Sequence, residues 1–299
     1  MFRKTILWAW MVLGLLAVNF LSSSSSQSNR ENTDVLLESG QPEKPVTPAA
    51  TNEIKIVSYN IRWRSGEELQ QIIRWLKEAS GPAIIGLQEV DRAKKRSGNT
   101  NHPKKIADQL GMYYAWAAPH QPGSAKKQEE DTGVELLSSS PLTDITRIVL
   151  PNPGPGDRVR VALGATTKIG NTLLRVYSAH SETRLPIAKK VDQLRAVLAD
   201  LQKFPKDMPA IVLGDFNSWE LPSVEGIRKL FTDTGFTTPL PDDESTFYRK
   251  TLMFDVKLKL DWIWLRSLTA SSYGIERNLT VSDHFPLWTV TKISPTPAR

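Results

Sequence analysis

The chain has 299 residues, with 38 lysines and arginines against 32 aspartates and glutamates, and no cysteine. That composition excludes disulfides, thiolate metal sites, a cysteine nucleophile and a cysteine-linked lipid anchor, and it leaves the redox compartment open. Residues 1–51 carry Arg3, Lys4, Arg30 and Lys44 against Glu31, Asp34, Glu38 and Glu43, so the net charge of +6 belongs to the remainder, a bias that attracts anionic substrates but is small for a dedicated nucleic-acid binder.

Taken from the N-terminus, Arg3 and Lys4 precede a 16-residue apolar run, 6–21, broken only by Asn19, and then a serine tract. The run is slightly short for an untilted membrane span and lacks an Ala-x-Ala cleavage site. Residues 1–26 therefore read as a signal peptide or an uncleaved signal anchor, and either implies an exported or membrane-anchored protein. Residues 27–51 are polar, contain proline and show no period, the pattern of a disordered linker. No composition break follows, so 52–299 is expected to be one domain.

Within it, 54–59 is a β-rich run, and 67–79 places Leu69, Ile72, Ile73 and Leu76 on one helical stripe. Gly81-Pro82 ends that helix, and 83–87 reads as a second buried strand. A short helix is expected over 103–110, stopped by Gly111. Strands follow at 113–117, 134–138, 144–150, 159–167 and 173–178, with a Pro/Gly loop at 151–156. The longest helix is expected at 187–204, then a strand at 210–213, a helix at 223–231 and strands at 261–266 and 285–291. Residues 232–259 carry little regular pattern. Adjacent strands without intervening helices point to mixed sheets.

Several apolar runs end in a polar residue of catalytic type: Ser58-Tyr59-Asn60-Ile61-Arg62, Leu87-Gln88-Glu89-Val90-Asp91-Arg92, Tyr177-Ser178-Ala179-His180, Leu213-Gly214-Asp215-Phe216-Asn217-Ser218, Leu260-Asp261-Trp262-Ile263 and Val281-Ser282-Asp283-His284. Buried strands that each deliver one such residue at their end build the floor of an active site. Taken singly each motif is weak, since a glutamate after an apolar strand is usually a solvent residue and Gly-Asp-Phe-Asn-Ser suits a turn. Together and in this order they resemble the endonuclease/exonuclease/phosphatase superfamily, metal-dependent phosphoesterases with a pancreatic-deoxyribonuclease-like fold, over residues 52 to 292.

The resemblance implies a four-layer α/β/β/α sandwich with two mixed sheets and flanking helices. It implies Glu89 as the principal ligand of Mg²⁺ or Mn²⁺, supported by Asn60 and by Asp283. Hard oxygen donors are what those cations prefer. Asp215 and Asn217, two apart at a strand end, point to one side; the family's matching pair orients the attacking water and donates to a phosphoryl oxygen. His284, with Asp261 as partner, is a base or an imidazolium that stabilises charge, and the sequence leaves that choice open. His180 matches a histidine that contacts the phosphoryl group or acts as general acid. Arg62, Arg92 and Arg160 are phosphate-binding candidates because a guanidinium grips two oxygens at once; their plain alternative is a surface ion pair. Trp63, Trp219 and Trp262 line the pocket or belong to the core. His102, His120, Lys94-Lys95-Arg96 and Lys126-Lys127 read as surface groups.

One departure from the family pattern is Gly133-Val134-Glu135-Leu136-Leu137-Ser138-Ser139-Ser140-Pro141-Leu142, where Ser139 replaces an arginine and Glu135 an alanine. The expected activity is hydrolysis of a phosphodiester or phosphomonoester by activated water, on nucleic acid or a phospholipid head group, without an inferred protein partner and with membrane association through the N-terminal segment. The alternative is an inactive relative that binds phosphate or lipid. A serine hydrolase is excluded by the absence of Gly-x-Ser-x-Gly, and a zinc protease by the absence of paired helical histidines. Leu252-Met253-Phe254, apolar in a polar stretch, is a faint echo of the exposed hairpin of lipid-cleaving members.

Overall fold

A computed structural model describes residues 36–46, 53–78, 83–119 and 131–293. The leader expected at 1–26 lies outside them, as do His120 and Lys126-Lys127. Among the described residues no helix is long and apolar enough to cross a membrane.

Two mixed sheets form the centre. The first runs in the order β1 (Leu37–Gly40), β4 (Tyr113–Ala117), β5 (Asp131–Ser138), β3 (Ile84–Arg92), β2 (Glu53–Asn60), β15 (Leu287–Lys292) and β14 (Thr269–Ile275). The second is ordered β10 (Phe236–Thr237), β13 (Asp261–Arg266), β9 (Ala210–Asp215), β8 (Thr172–His180), β7 (Arg158–Ile169) and β6 (Leu142–Gly154). The sheets face each other through Ile56, Ile84, Leu136, Val161, Val176, Ile211 and Ile263. Helices α1 (Gly66–Glu78) and α2 (His102–Leu110) cover the outside of the first sheet, burying Leu69, Ile72, Ile73, Leu76 and Ile106 against Val57, Tyr59 and Leu87. Helices α3 (Ile187–Leu201) and α4 (Leu221–Asp233) cover the second, placing Leu194, Val197 and Ile227 on Tyr177, Val212 and Trp264. This is the four-layer α/β/β/α sandwich expected.

Each sheet contains one parallel pair, β2 with β3 and β8 with β9, and each pair is joined through a helix that crosses the outer face, α1 and α3 respectively. Parallel strands end on the same side, so Asn60, Glu89, His180 and Asp215 are delivered to one end of the sandwich. Close approach there depends on glycine. Gly214, immediately before Asp215, has φ +140°, and a Cβ on it would sit 1.9 Å from the Ala179 carbonyl oxygen. Gly86 admits Leu213 across the interface, where a Cβ would lie 2.0 Å from Leu213 Cδ1.

Three expectations need correction. The linker read over 27–51 includes β1, paired with β4 from Leu37↔Ala117 to Gly40↔Tyr114, and Val46 N–H donates to Gly111 O. An edge strand of four residues is too short to show a period. His102 is buried at the start of α2 rather than on the surface. Residues 232–259 hold β10 and a separate hairpin, β11 (Phe247–Lys250) with β12 (Asp255–Leu258), whose tip exposes Leu252, Met253 and Phe254. The strand β14, Ser- and Thr-rich on an open edge, carries no apolar run that would have announced it.

Candidate active site

Strand register assembles the site's centre. His180 ends β8 directly opposite Asp215, which ends β9, and Asp215 stands opposite Asp261, which begins β13. Three neighbouring strands thus bring a histidine and two carboxylates into one row. From the other sheet, a bulge between Gln88 and Val90 lifts Glu89 out of the β3 ladder with φ +56°, while its carbonyl accepts Trp63 N–H at 2.8 Å. A non-glycine residue held in that region is strained, and bulges re-aim side chains near functional sites. Glu89 is the half-exposed residue of an otherwise buried strand and faces the cleft.

Asn60 ties the two sheets together. Its Nδ2 donates to Asp215 Oδ2 at 2.9 Å and to Glu89 Oε1 at 3.3 Å, while Oδ1 accepts Arg62 N–H at 3.0 Å. In this geometry Asn60 orients two carboxylates, and its Oδ1, which accepts one N–H, keeps a second lone pair for the expected metal site. His180 Nε2 lies 3.5 Å from Asp215 Oδ2 and 3.9 Å from Glu89 Oε1. Burial, then the charges of Arg160, His284 and Arg158, hold the His180 imidazole well below its ordinary pKa, so it sits there neutral.

His284 belongs to a chain of contacts reaching into the protein. Its Nδ1 is 2.8 Å from Asp261 Oδ2, which also accepts Thr246 Oγ1–H at 2.7 Å; Thr246 Oγ1 in turn accepts the backbone N–H groups of Leu260 and Asp261. Ser282 Oγ accepts His284 N–H at 3.3 Å and donates to Asn60 O at 2.8 Å, and Phe247 packs edge-on to the imidazole at 5.1 Å. The free Nε2 points toward Asp215 Oδ2, 3.8 Å away. Burial alone would make this histidine less basic, but the Asp261 and Asp215 carboxylates outweigh it and raise its pKa to about 10. Asp215 moves the other way for a carboxylate: burial and the nearby Asp261 push it up to about 7, against the pull of His284, Asn60 and the Asn217 N–H. The pair is thus an imidazolium beside a carboxyl poised near neutrality.

The cleft around these groups encloses about 240 Å³ and is walled by Arg62, Arg160, Asn217, Trp219, Arg249 and Asp283, among others. Arg62 Nη1 is 2.9 Å from Asp283 Oδ2, so Asp283 reaches the cleft already paired. Asn217, with φ +50°, donates Nδ2–H to Ser181 O at 3.0 Å, and its own carbonyl accepts Lys190 Nζ–H at 2.9 Å. Arg160 Nη1 lies 3.3 Å from His180 Nδ1.

Arg92 does not join them. β3 continues three residues past the bulge and carries it to the β1 edge, where it pairs with Glu38 at 3.1 Å and stacks 4.1 Å above Trp116. Its candidacy as a phosphate ligand is corrected on that ground. Trp262 is core, fully buried beside Trp264, whereas Trp219 is exposed on the cleft wall and Trp63 stacks between Arg62 and Arg96. Thr246, Ser282 and Phe247 escaped the sequence reading. Thr246 and Phe247 lie in a stretch with no period and meet His284 or its partner only through tertiary packing, whereas Ser282 stands inside the Val281–His284 motif but its bond to Asn60 O joins segments far apart in sequence.

The donors fit a hard divalent cation at one point. Glu89 lines the cleft and pairs with no lysine or arginine among the described residues, its sole ionic neighbour being the neutral His180. Glu89 and Asp215 supply oxygen only, the donor type Mg²⁺ and Mn²⁺ take. Asp215, Asp261 and His284 also approach closely enough to be a ligand set. There the imidazole Nδ1 and Thr246 Oγ1 both engage Asp261 Oδ2, while Asp261 Oδ1 is buried without a partner.

The sequence model of the Endonuclease/Exonuclease/phosphatase family matches residues 57–284. No curated protein matches in sequence. Among solved structures, an endonuclease/exonuclease/phosphatase from Beutenbergia cavernae superposes with a TM-score of 0.64 at 17% identity, over 80% of this chain and 71% of that one. D. rerio TDP2 complexed with single-strand DNA product gives 0.63 at 18%, over 81% and 100%. A mannosyl-6-phosphatase from Bacteroides thetaiotaomicron gives 0.59 at 16%, over 80% and 99%. At such identities these three share the fold.

Proposed function

Because the chain belongs to the endonuclease/exonuclease/phosphatase family, we propose that it is a metal-dependent phosphoesterase that hydrolyses a phosphodiester or phosphomonoester by in-line attack of water. The observation that carries this reading is the Asp215–His284–Asp261 row beside Glu89 in a cleft flanked by Arg62 and Arg160. Asp215, raised to about 7, is a carboxylate near neutral pH with enough basicity to take a proton from the attacking water. His284, held protonated between two carboxylates, presents Nε2–H to the charge that develops on the phosphoryl oxygens. Asp261 and Thr246 fix its ring. Arg62 and Arg160 take up phosphoryl oxygens, and Asn217 closes the side of the cleft next to Asp215. Glu89, with Asp215 and Asp283 nearby, would hold Mg²⁺ or Mn²⁺; the bound cation supplies charge neutralisation at the phosphoryl group.

The substrate classes differ in what they need from the surface. A nucleic acid or a phospholipid head group fits the cleft and the basic bias alike. The hairpin β11–β12 supports the phospholipid: its base lines the cleft through Phe247, Arg249 and Leu258, and its tip exposes three consecutive large apolar residues beside Lys250. Export or anchoring through residues 1–26 would place the enzyme where such surfaces occur. The alternative of a binding module gains nothing from a cleft in which the expected catalytic side chains converge.

The deciding experiment gives the full chain supercoiled plasmid and, separately, phospholipid vesicles, each with Mg²⁺ or with EDTA. Mg²⁺-dependent product from either substrate supports the hydrolase and names its class. Folded protein that binds both and turns over neither, with any divalent metal, would leave the binding module as the answer.

A further inference from the structure

A buried carboxylate just beyond β8 holds two arginines at the mouth of the cleft. Glu182 is 0% exposed; its N–H donates to Gln193 Oε1 of α3 at 2.8 Å, and its Oε1 accepts Arg184 N–H at 3.1 Å. Arg158 Nε donates to Glu182 Oε2 at 2.7 Å and Arg158 Nη2 donates to Oε1, a two-point fork. Arg160 Nε donates to the same Oε2 at 3.1 Å. The β6–β7 hairpin is drawn onto this carboxylate: opposite Arg158 stands Gly154, where a Cβ would lie 2.6 Å from Glu182 Cδ.

The two guanidiniums form a short track leading outward. Arg160 lines the cleft and reaches His180, and its side chain is 19% exposed; that of Arg158 is 40% exposed, one step further from the reacting groups. Both are near enough to His180 to lower its basicity. One carboxylate against two guanidiniums leaves a net positive charge, and the Arg158 guanidinium bonds only to Glu182 among the described residues. One buried carboxylate thus fixes a pair of guanidiniums. The two, preset by a carboxylate buried beneath them, lose little side-chain entropy when an anion arrives.

We propose that Arg158, held by Glu182 beside the Arg160 that meets the scissile phosphate, forms a second anion subsite, so that the preferred substrate carries another phosphate group next to the one hydrolysed. The proposal rests on the hydrolase reading for which phosphate is the scissile one. The shared chemistry is that of two neighbouring phosphates, found in a polynucleotide strand and in a multiply phosphorylated head group.

The test measures affinity on the full chain by calorimetry, with phenyl phosphate and propane-1,3-diyl bisphosphate, in EDTA and in Mg²⁺. Charge-assisted contacts to Arg158 should make the bisphosphate bind about tenfold tighter or more. Arg158→Ala should bring the ratio of the two affinities close to one, and Arg158→Lys, which keeps the charge but not the fork, should retain part of it. Equal affinities in the unaltered protein, or a ratio that survives Arg158→Ala, overturn the subsite. Two further arms separate the sources: a thymidine dinucleotide with and without a 5′-phosphate, and inositol 1,4-bisphosphate against inositol 1-phosphate. A gain in one arm identifies the source, and a gain in neither counts against the subsite. Turnover of bis(p-nitrophenyl) phosphate is followed in parallel. Absence of turnover of both this diester and p-nitrophenyl phosphate would remove the hydrolase reading while the affinity ratio still judged the subsite.

Discussion

Asp261 does not line the cleft, yet the charge and orientation of His284 depend on it. It fixes His284 through Nδ1 and keeps the imidazole charged, and Thr246 holds it in place from behind. Asp261→Asn should therefore lower kcat by about 10²–10⁴-fold with little change in KM. Thr246→Val should lower it by about tenfold, since the hydroxyl positions the carboxylate without meeting substrate. Unchanged steady-state kinetics in Asp261→Asn, with the fold intact by circular dichroism, would contradict the relay. A different residue governs stability. Glu135 stands between Leu87 and Trp116 in the sheet, fully buried, with neither carboxylate oxygen bonded. Burial, and then the charge of Glu38, raise its pKa well above the usual carboxylate range. The unfolded chain ionises this group from about pH 4.5 upward while the folded one keeps it neutral, so stability falls as pH rises through that window until the folded group also ionises. Glu135→Gln removes the ionisation. Urea melts should show no difference near about pH 4 and a gain of about 1–3 kcal/mol at neutral pH. A difference independent of pH would show that ionisation is not the cause.

At the scale of elements, the long periodic segments were legible and the short edges were not. The stripe Leu69, Ile72, Ile73 and Leu76 announced α1, and the strands that end in Asn60, Asp215 and His180 were read from apolar runs because both faces of those strands are buried. β1 was invisible, as four residues on an edge carry no period, yet it is anchored: Glu38 accepts from Tyr114 Oη–H at 2.6 Å, Asn101 Nδ2 at 2.8 Å and Arg92 Nη1 at 3.1 Å. A chain begun at residue 52 should lose about 2–4 kcal/mol against one begun ahead of residue 36, read as a lower urea midpoint. Equal midpoints would show that β1 contributes nothing. The hairpin tip makes the opposite prediction. Replacing Leu252, Met253 and Phe254 by serine should leave the melting temperature almost unchanged, since all three are solvent-exposed. The same change should reduce turnover of phospholipid in vesicles more than turnover of a soluble ester. Equal losses on both would remove the tip from substrate choice.

On the scale of the whole molecule, the site exists because two sheets are packed with their parallel pairs ending at the same place. Asn60 bonds to Glu89 within its own sheet and to Asp215, 155 positions further along the chain, across the interface. The sequence displayed each of these residues at the end of its run, and motif order tied them to one family. It could not display Thr246, which meets Asp261 through a loop, or the diversion of Arg92 by a strand that outruns its bulge. Whether the converged groups perform the reaction is tested most directly by hydrolysis of bis(p-nitrophenyl) phosphate in H₂¹⁸O, using the full chain, Asp215→Asn and His284→Ala, each with Mg²⁺ and with EDTA. The expected result is Mg²⁺-dependent turnover with ¹⁸O entering the phosphate product, and a fall of about 10²-fold or more in either variant. Turnover that persists in both variants, or label found only in the alcohol product, would contradict it.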